Sequence, residues 1–94
     1  MLLKKARFIS FTFNSPYENM AIDESLITIA AEAAEPVLRV YGWRPRGISI
    51  GKNQEAGSIN LKACVRDNVP VVRRITGGGA IFHADELTYC LAWP

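Results

Sequence analysis

Seven residues near the start of the chain, Arg7–Phe13, alternate. Ile9, Phe11 and Phe13 fall on one side and Phe8, Ser10 and Thr12 on the other. A period of two with this aromatic content predicts a strand. The period then changes. Behind Ser15–Glu18, the apolar positions Ile22, Leu26, Ile29 and Ala33 recur at helical spacing. Ser15 can cap that helix, Pro16 suits its first position and Glu18 completes a capping box. The alanine-rich stretch Ile29–Glu35 favours helix, and Pro36 ends it.

Pro36–Trp43 reads as a second strand, weakened near its end by Gly42. Arg44–Gly47 is a turn, Ile48–Gly51 a short third strand and Asn53–Ser58 a loop. Asn60 caps a short helix with Leu61, Cys64 and Val65 on one face, and Asn68 suits the left-handed residue that closes it. Pro70–Thr76 is a fourth strand. Ala80–Trp93 reads as two strands around a turn at Asp85–Glu86. The order β-α-β-β-α-β-β-β predicts an α+β class, a mainly antiparallel sheet flanked by helices. Two helices, one of them short, cover such a sheet thinly. The chain also stops at Trp93–Pro94, directly after a strand. Both features predict exposed apolar sheet surface, to be covered by self-association or a companion chain, and a piece of a larger domain. A compact small α+β domain is the alternative.

Composition narrows the classes. The 94 residues are 49% hydrophobic, with 11 basic and 9 acidic side chains and a formal charge of +2. This is a globular balance, too even to predict nucleic-acid or membrane-surface binding. Cys64 and Cys90 form no Cys-x-x-Cys pattern and are read as reduced and structural, which fits a cytoplasmic protein. The opening "MLLKKARF" has the wrong order for a secretory signal, and no apolar run is long enough for a membrane span.

The chemistry concentrates in "RRITGGGAIFH", Arg73–His83, which holds three consecutive glycines and the only histidine. Glycine reaches positive φ and lets a ligand approach the backbone, and successive amides of such a turn can converge on an anion. By period two, Arg74 and Thr76 share a side of the incoming strand, so a guanidinium and a hydroxyl face one space. The run is not a P-loop, because no Gly-Lys-Ser/Thr follows. It is not a dinucleotide fingerprint either, because Phe82 stands where a small residue is required. A flexible hairpin or bulge remains the alternative reading of the same glycines. A single histidine without metal-spaced cysteines predicts no metal site.

These residues resemble the lipoate–protein ligase and octanoyltransferase family. Its signature runs approximately Arg-Arg-x-Ser/Thr-Gly-Gly-Gly/Arg-Ala-Val-x-His, against "VVRRITGGGAIFHADELTY" here. "ENMAIDESL" resembles the family's first helix, and "PVLRVYGWRPRGISIGKNQ" its Leu-Arg-x-Tyr-x-Trp strand and following Ser-x-Gly-x-x-Gln. The resemblance covers residues 7–93. It implies the N-terminal portion, residues 1–94, of a catalytic domain with the fold of biotin–protein ligase and class II synthetases.

The family's ligases use ATP and Mg²⁺ to activate lipoate or octanoate as an acyl-adenylate. They then acylate a lysine on a lipoyl carrier domain or the glycine-cleavage H protein. Its transferases take octanoyl from acyl carrier protein through a cysteine thioester. Carried over, Arg74, Thr76, Gly77, Gly78, Gly79, Ala80, Phe82 and His83 bind the acyl-adenylate, and Trp43, Ser49 and Gly51 support the pocket wall. Two features divide the assignment. Gly79 follows the ligase triple glycine, whereas "HADELTY", with Ala84 after the histidine, is nearer the transferase ending. The family's essential lysine and cysteine fall downstream of this stretch, so no catalytic residue is assigned, and the chain alone is not expected to complete acyl transfer.

Overall fold

The computed structural model describes residues 5–94, so the opening Met1–Lys4 of "MLLKKARF" lies outside the described residues. The elements are β1 (Arg7–Asn14), α1 (Pro16–Ala33), β2 (Val37–Trp43), β3 (Gly47–Ile50), α2 (Leu61–Arg66), β4 (Val71–Arg73), β5 (Ile81–His83) and β6 (Thr88–Ala92). A single 3₁₀ turn, Ala56–Ser58, lies in the loop before α2.

The α+β class holds, but the strands divide into two sheets of three, ordered β1-β2-β6 and β4-β3-β5. Each sheet contains one parallel and one antiparallel pairing. The helices explain this. A parallel pair needs a long crossover, and α1 and α2 are the crossovers of β1–β2 and β3–β4. The last two strands are not a hairpin. β5 pairs with β3 and β6 with β2, so the turn at Asp85–Glu86 carries the chain from one sheet to the other.

Local signals at the helix ends are realised. Ser15 Oγ accepts from Glu18 N at 3.1 Å, and Glu18 Oε1 accepts from Ser15 N at 3.0 Å. Ala34 closes α1 in the left-handed conformation, two residues before Pro36. Asn60 Oδ1 caps α2, and Asn68 takes φ 54° beyond it.

The apolar stripe of α1 departs from expectation. Its buried residues are Pro16, Asn19, Asp23, Leu26 and Ala30, while Ile29 is exposed. The cause is Arg39 on β2, whose side chain is only 2% exposed. A buried guanidinium requires partners. Asp23 Oδ1 lies 2.7 Å from its Nη1, and Asn19 supplies Oδ1 at 2.6 Å and its backbone oxygen at 3.3 Å. Around this polar seam lie two apolar clusters. Leu26, Ala30, Val37 and Ala92 form one, and Tyr41, Trp43 and Val72 the other.

β1 is an edge strand whose register against β2 shifts between Ile9 and Thr12, so its alternation is broken and Phe8, Phe11 and Phe13 are all exposed. Gly42 makes room for two of these rings: a Cβ there would stand 2.7 Å from Phe13 and 2.8 Å from Phe11. Tyr89 and Leu91, which pair with Val40 and Leu38, are exposed on β6. No helix among the described residues is long and apolar enough to cross a membrane.

Candidate functional site

The sheets meet at a cleft of about 260 Å³. Met20, Asp23, Tyr41, Trp43 and Cys90 line it from the α1 side. Arg74, Ile75, Thr76, Ile81 and His83 line it from the other. Of the residues singled out in the sequence, Arg74, Thr76 and His83 therefore come together. Gly77–Gly79 and Ala80 connect the lining residues Thr76 and Ile81 but do not themselves line the cleft. Phe82 points elsewhere and is 56% exposed.

β4 ends at Arg73, so period two does not place Arg74 and Thr76. Backbone pairing continues irregularly instead: Arg74 N donates to Ile50 O at 2.9 Å, and Lys52 N to Thr76 O at 2.8 Å. The two arginines then serve opposite loops. Arg73 Nη1 donates to the carbonyls of Gly51, Lys52 and Gln54, at 2.9, 3.2 and 2.6 Å. Arg74 Nη1 donates to Ser49 O and Oγ at 3.1 and 2.7 Å, and its Nη2 to Gly77 O and Gly79 O at 2.8 and 2.9 Å.

That last pair orients the glycine turn. In a trans peptide the N–H points opposite the carbonyl. With the Gly77 and Gly79 oxygens turned onto Arg74, the Gly78 and Ala80 amides point away from it. Among the described residues, no backbone acceptor takes the amides of Gly77–Ala80. Gly78 adopts φ 100°, which requires glycine. Gly51 buttresses the turn so closely that a Cβ there would overlap the Gly78 carbonyl.

His83 is 4% exposed and stacks on Trp43, with ring centroids 3.9 Å apart and planes 11° from parallel. Its Nε2 lies 2.7 Å from Ser49 Oγ. Glu86 Oε2 stands 3.1 Å from Nδ1, but off the line of a well-formed hydrogen bond. Thr88 Oγ1 donates to Glu86 Oε2 and accepts from the Trp43 indole N–H, both at 2.8 Å. Burial pushes the Glu86 carboxyl up, but the His83 ring, the Thr88 hydroxyl and the Ala84 amide outweigh it and hold it below its ordinary value.

The cleft floor is tied to the buried seam. Tyr41 Oη donates to Asp23 Oδ2 at 2.5 Å, and burial together with this acceptor raises the phenol far above its usual range. Burial, reinforced by the nearby Asp23 carboxylate, pushes the Cys90 thiol up to about 11. At neutral pH the Cys90 thiol therefore keeps its proton. Ser49, Glu86, Thr88 and the Asp23–Arg39 pair are the site residues whose partnerships sequence reasoning missed. Their signals, a serine in a short strand and a carboxylate three residues after the histidine, have meaning only once β3, β5 and the turn converge.

Comparison with known proteins fits this geometry. Residues 15–94 match the family described as lipoyl protein ligase A/B catalytic domain, and the chain belongs to that family. It is 49% identical over 82 residues to octanoyltransferase LipM of an Exiguobacterium species, covering 85% of this chain and 30% of that one. It is 44% identical over 85 residues to octanoyltransferase LipM of Bacillus subtilis, covering 88% of this chain and 31% of that one. The chain thus spans less than a third of these relatives' length. Among solved structures, it superposes on lipoate–protein ligase A bound with ATP, with a TM-score of 0.80 and 27% identity. That match covers 93% of this chain and 36% of the ligase. It also matches part of a bipartite lipoate–protein ligase of Thermoplasma acidophilum, studied with its E2 lipoyl domain, with a TM-score of 0.79 and 25% identity. Here the coverage is 96% of this chain and 36% of the other.

Proposed function

We propose that this chain forms the acyl-binding wall of an octanoyl-transferring enzyme. The observation that carries this reading is the cleft itself. An apolar slot of about 260 Å³, lined by Met20, Ile75, Ile81 and Leu91, lies beside a turn whose amides are held outward by Arg74. A slot of this size, near the small end of ligand pockets, suits a short aliphatic chain. Outward amides suit the carbonyl oxygen of a thioester, which gains negative charge as a nucleophile attacks the carbonyl carbon and gives it back when the carbonyl re-forms and the donor thiolate departs. On this reading Arg74, Thr76, Gly77, Gly78, Gly79 and Ala80 bind the acyl head and His83 backs it. The donor is an octanoyl acyl carrier protein, and the acceptor is a lysine on a lipoyl carrier domain or the glycine-cleavage H protein. The attacking thiol belongs to a further part of the catalytic domain, of which residues 1–94 are the N-terminal portion. The names of the relatives at 44–49% identity favour transfer.

The ATP-dependent ligase reading draws support from the ATP-bound ligase as a structural neighbour. The free amides suit a phosphate or carboxylate equally well. For Mg²⁺ the described residues fit poorly. Asp23 is the acidic residue lining the cleft, and Arg39 and Tyr41 take its two oxygens.

Titration of the chain with S-octanoyl-N-acetylcysteamine, and in parallel with a non-hydrolysable octanoyl-adenylate, tests the proposal. Saturable binding of the thioester, weakened by Arg74→Ala, is expected. Binding of the adenylate alone would favour the ligase, and a folded chain that binds neither would overturn both readings.

A further inference from the structure

The proposed function needs the glycine turn held open toward its ligand, and the turn is held by Arg74. What holds Arg74 is a line of buried polar groups. We propose that Glu86 is a positioning residue: through His83 and Ser49 it fixes the guanidinium that turns the Gly77 and Gly79 carbonyls inward. The proposal rests on the functional reading above only for its consequence, ligand affinity. Its structural content is independent of that reading.

Ser49 is fully buried, and its hydroxyl has one proton to donate. Its partners are Arg74 Nη1 and His83 Nε2, both at 2.7 Å. The guanidinium can only donate, so Ser49 Oγ accepts there. If Nε2 also carried a proton, the Ser49 hydroxyl would face two donors and its own proton would have no acceptor, a costly state for a buried group. The arrangement that satisfies the Ser49 hydroxyl sends its proton to Nε2. The proton of the neutral ring then sits on Nδ1.

Nδ1 is buried without a hydrogen-bond partner among the described residues, and Glu86 Oε2, 3.1 Å away, is the carboxylate oxygen that faces it. Glu86 is itself fixed by the Thr88 hydroxyl, and Thr88 by the Trp43 indole, whose ring stacks on His83. The imidazole is thus held on its face by Trp43 and at Nε2 by Ser49, while Glu86 Oε2 stands 3.1 Å from Nδ1, where a small turn of the carboxylate would let it accept the Nδ1 proton. Removing the carboxylate takes away the negative charge and the facing oxygen beside the Nδ1 proton and favours the other tautomer. Nε2 then donates into Ser49 Oγ in competition with Arg74. The displaced guanidinium releases the turn carbonyls.

His83 is the only histidine of the chain, so its ring nitrogens give an unambiguous NMR signature. Long-range ¹H–¹⁵N spectra of the labelled chain in mildly alkaline solution should show the proton on Nδ1. Glu86→Ala should shift the ring toward the Nε2–H form and move the Gly77–Ala80 amide resonances. Glu86→Gln, whose amide oxygen can still accept from Nδ1, should restore both. Octanoyl thioester affinity should fall roughly tenfold in Glu86→Ala and recover in Glu86→Gln. A wild-type ring protonated on Nε2, or turn amides that do not move in folded Glu86→Ala, would overturn the proposal. If the tautomer and the amides respond while wild type binds no thioester, the positioning role stands and the functional reading fails. If Glu86→Ala does not fold, the wild-type tautomer and the Gln variant decide the matter.

Discussion

Arg74 and Gly79 are five residues apart, yet the guanidinium of one donates to the carbonyl of the other at 2.9 Å, closing the glycine turn around a cation. The arginine is thereby spent on the protein's own oxygens, and among the described residues no backbone acceptor takes the turn's amides. Arg74→Ala should therefore destabilise the fold as well as weaken binding. A hydrogen bond to a charged donor is worth about 1.5–3 kcal/mol, and several are lost together, so a loss of about 2–4 kcal/mol is expected. Arg74→Lys should recover only part, because an ammonium cannot span Ser49 and the turn as a fork does. Urea unfolding of the two variants checks this.

Gly51→Ala probes the same turn from behind. The new methyl would overlap the Gly78 carbonyl, so the turn must move. Overpacking of this kind costs about 1–3 kcal/mol. The specific sign is local: the Lys52 amide, bonded to Thr76 O, should lose hydrogen-exchange protection before the amides of β2 do.

Asp23→Ala strips the buried Arg39 of its counter-charge and Tyr41 of its acceptor. Breaking a buried pair costs about 3–5 kcal/mol. At about 0.05–0.15 kcal/mol per residue, that is a large share of what a chain of this length has. The variant should unfold at far lower urea. Joint replacement of Asp23 and Arg39 by apolar residues should cost much less than the single change.

Cys90 gives a pH prediction. Its thiol is pushed up to about 11 by burial and the nearby Asp23, from an ordinary value of 9.0. Between these values the unfolded thiol ionises while the folded one keeps its proton, so this residue's contribution to stability falls as pH rises from 9 toward 11. The folded chain should resist iodoacetamide at Cys90 at neutral pH and react rapidly once unfolded.

Acid acts through other groups. Glu18 is held low by the Ser15 backbone and hydroxyl, and Asp67 by Arg66. For a lowered carboxyl, stability is present above the unfolded value and is lost as pH falls through the folded one. The chain should therefore lose stability as pH drops below about 4.5, the ordinary value for Glu18. A urea midpoint series across acid pH checks the sign.

The elements and caps were legible because their causes are local. Ser15 with Glu18, Asn60 and Asn68 act within a few residues of themselves. Pairing was not. Nothing near Asp85 says that β5 joins one sheet and β6 the other, because the partners β3 and β2 are distant in sequence. The stripe of α1 was misplaced for the same reason. Asn19 and Asp23 face inward only because Arg39 does, and no property of the helix announces a buried arginine on another strand. The gathering of Arg74, Thr76 and His83 was readable from the resemblance. The links through Ser49 and Glu86 depend on the three-dimensional approach of β3 and β5.

The most direct test of the central claim is to titrate the ¹⁵N-labelled chain with S-octanoyl-N-acetylcysteamine and follow backbone amides. Saturable shifts of Gly78 and Ala80, whose N–H groups point away from Arg74, are expected, together with shifts of the cleft residues Met20, Ile81 and Cys90. A folded chain whose turn amides stay still at saturating thioester, or whose shifts fall away from the cleft, would contradict it.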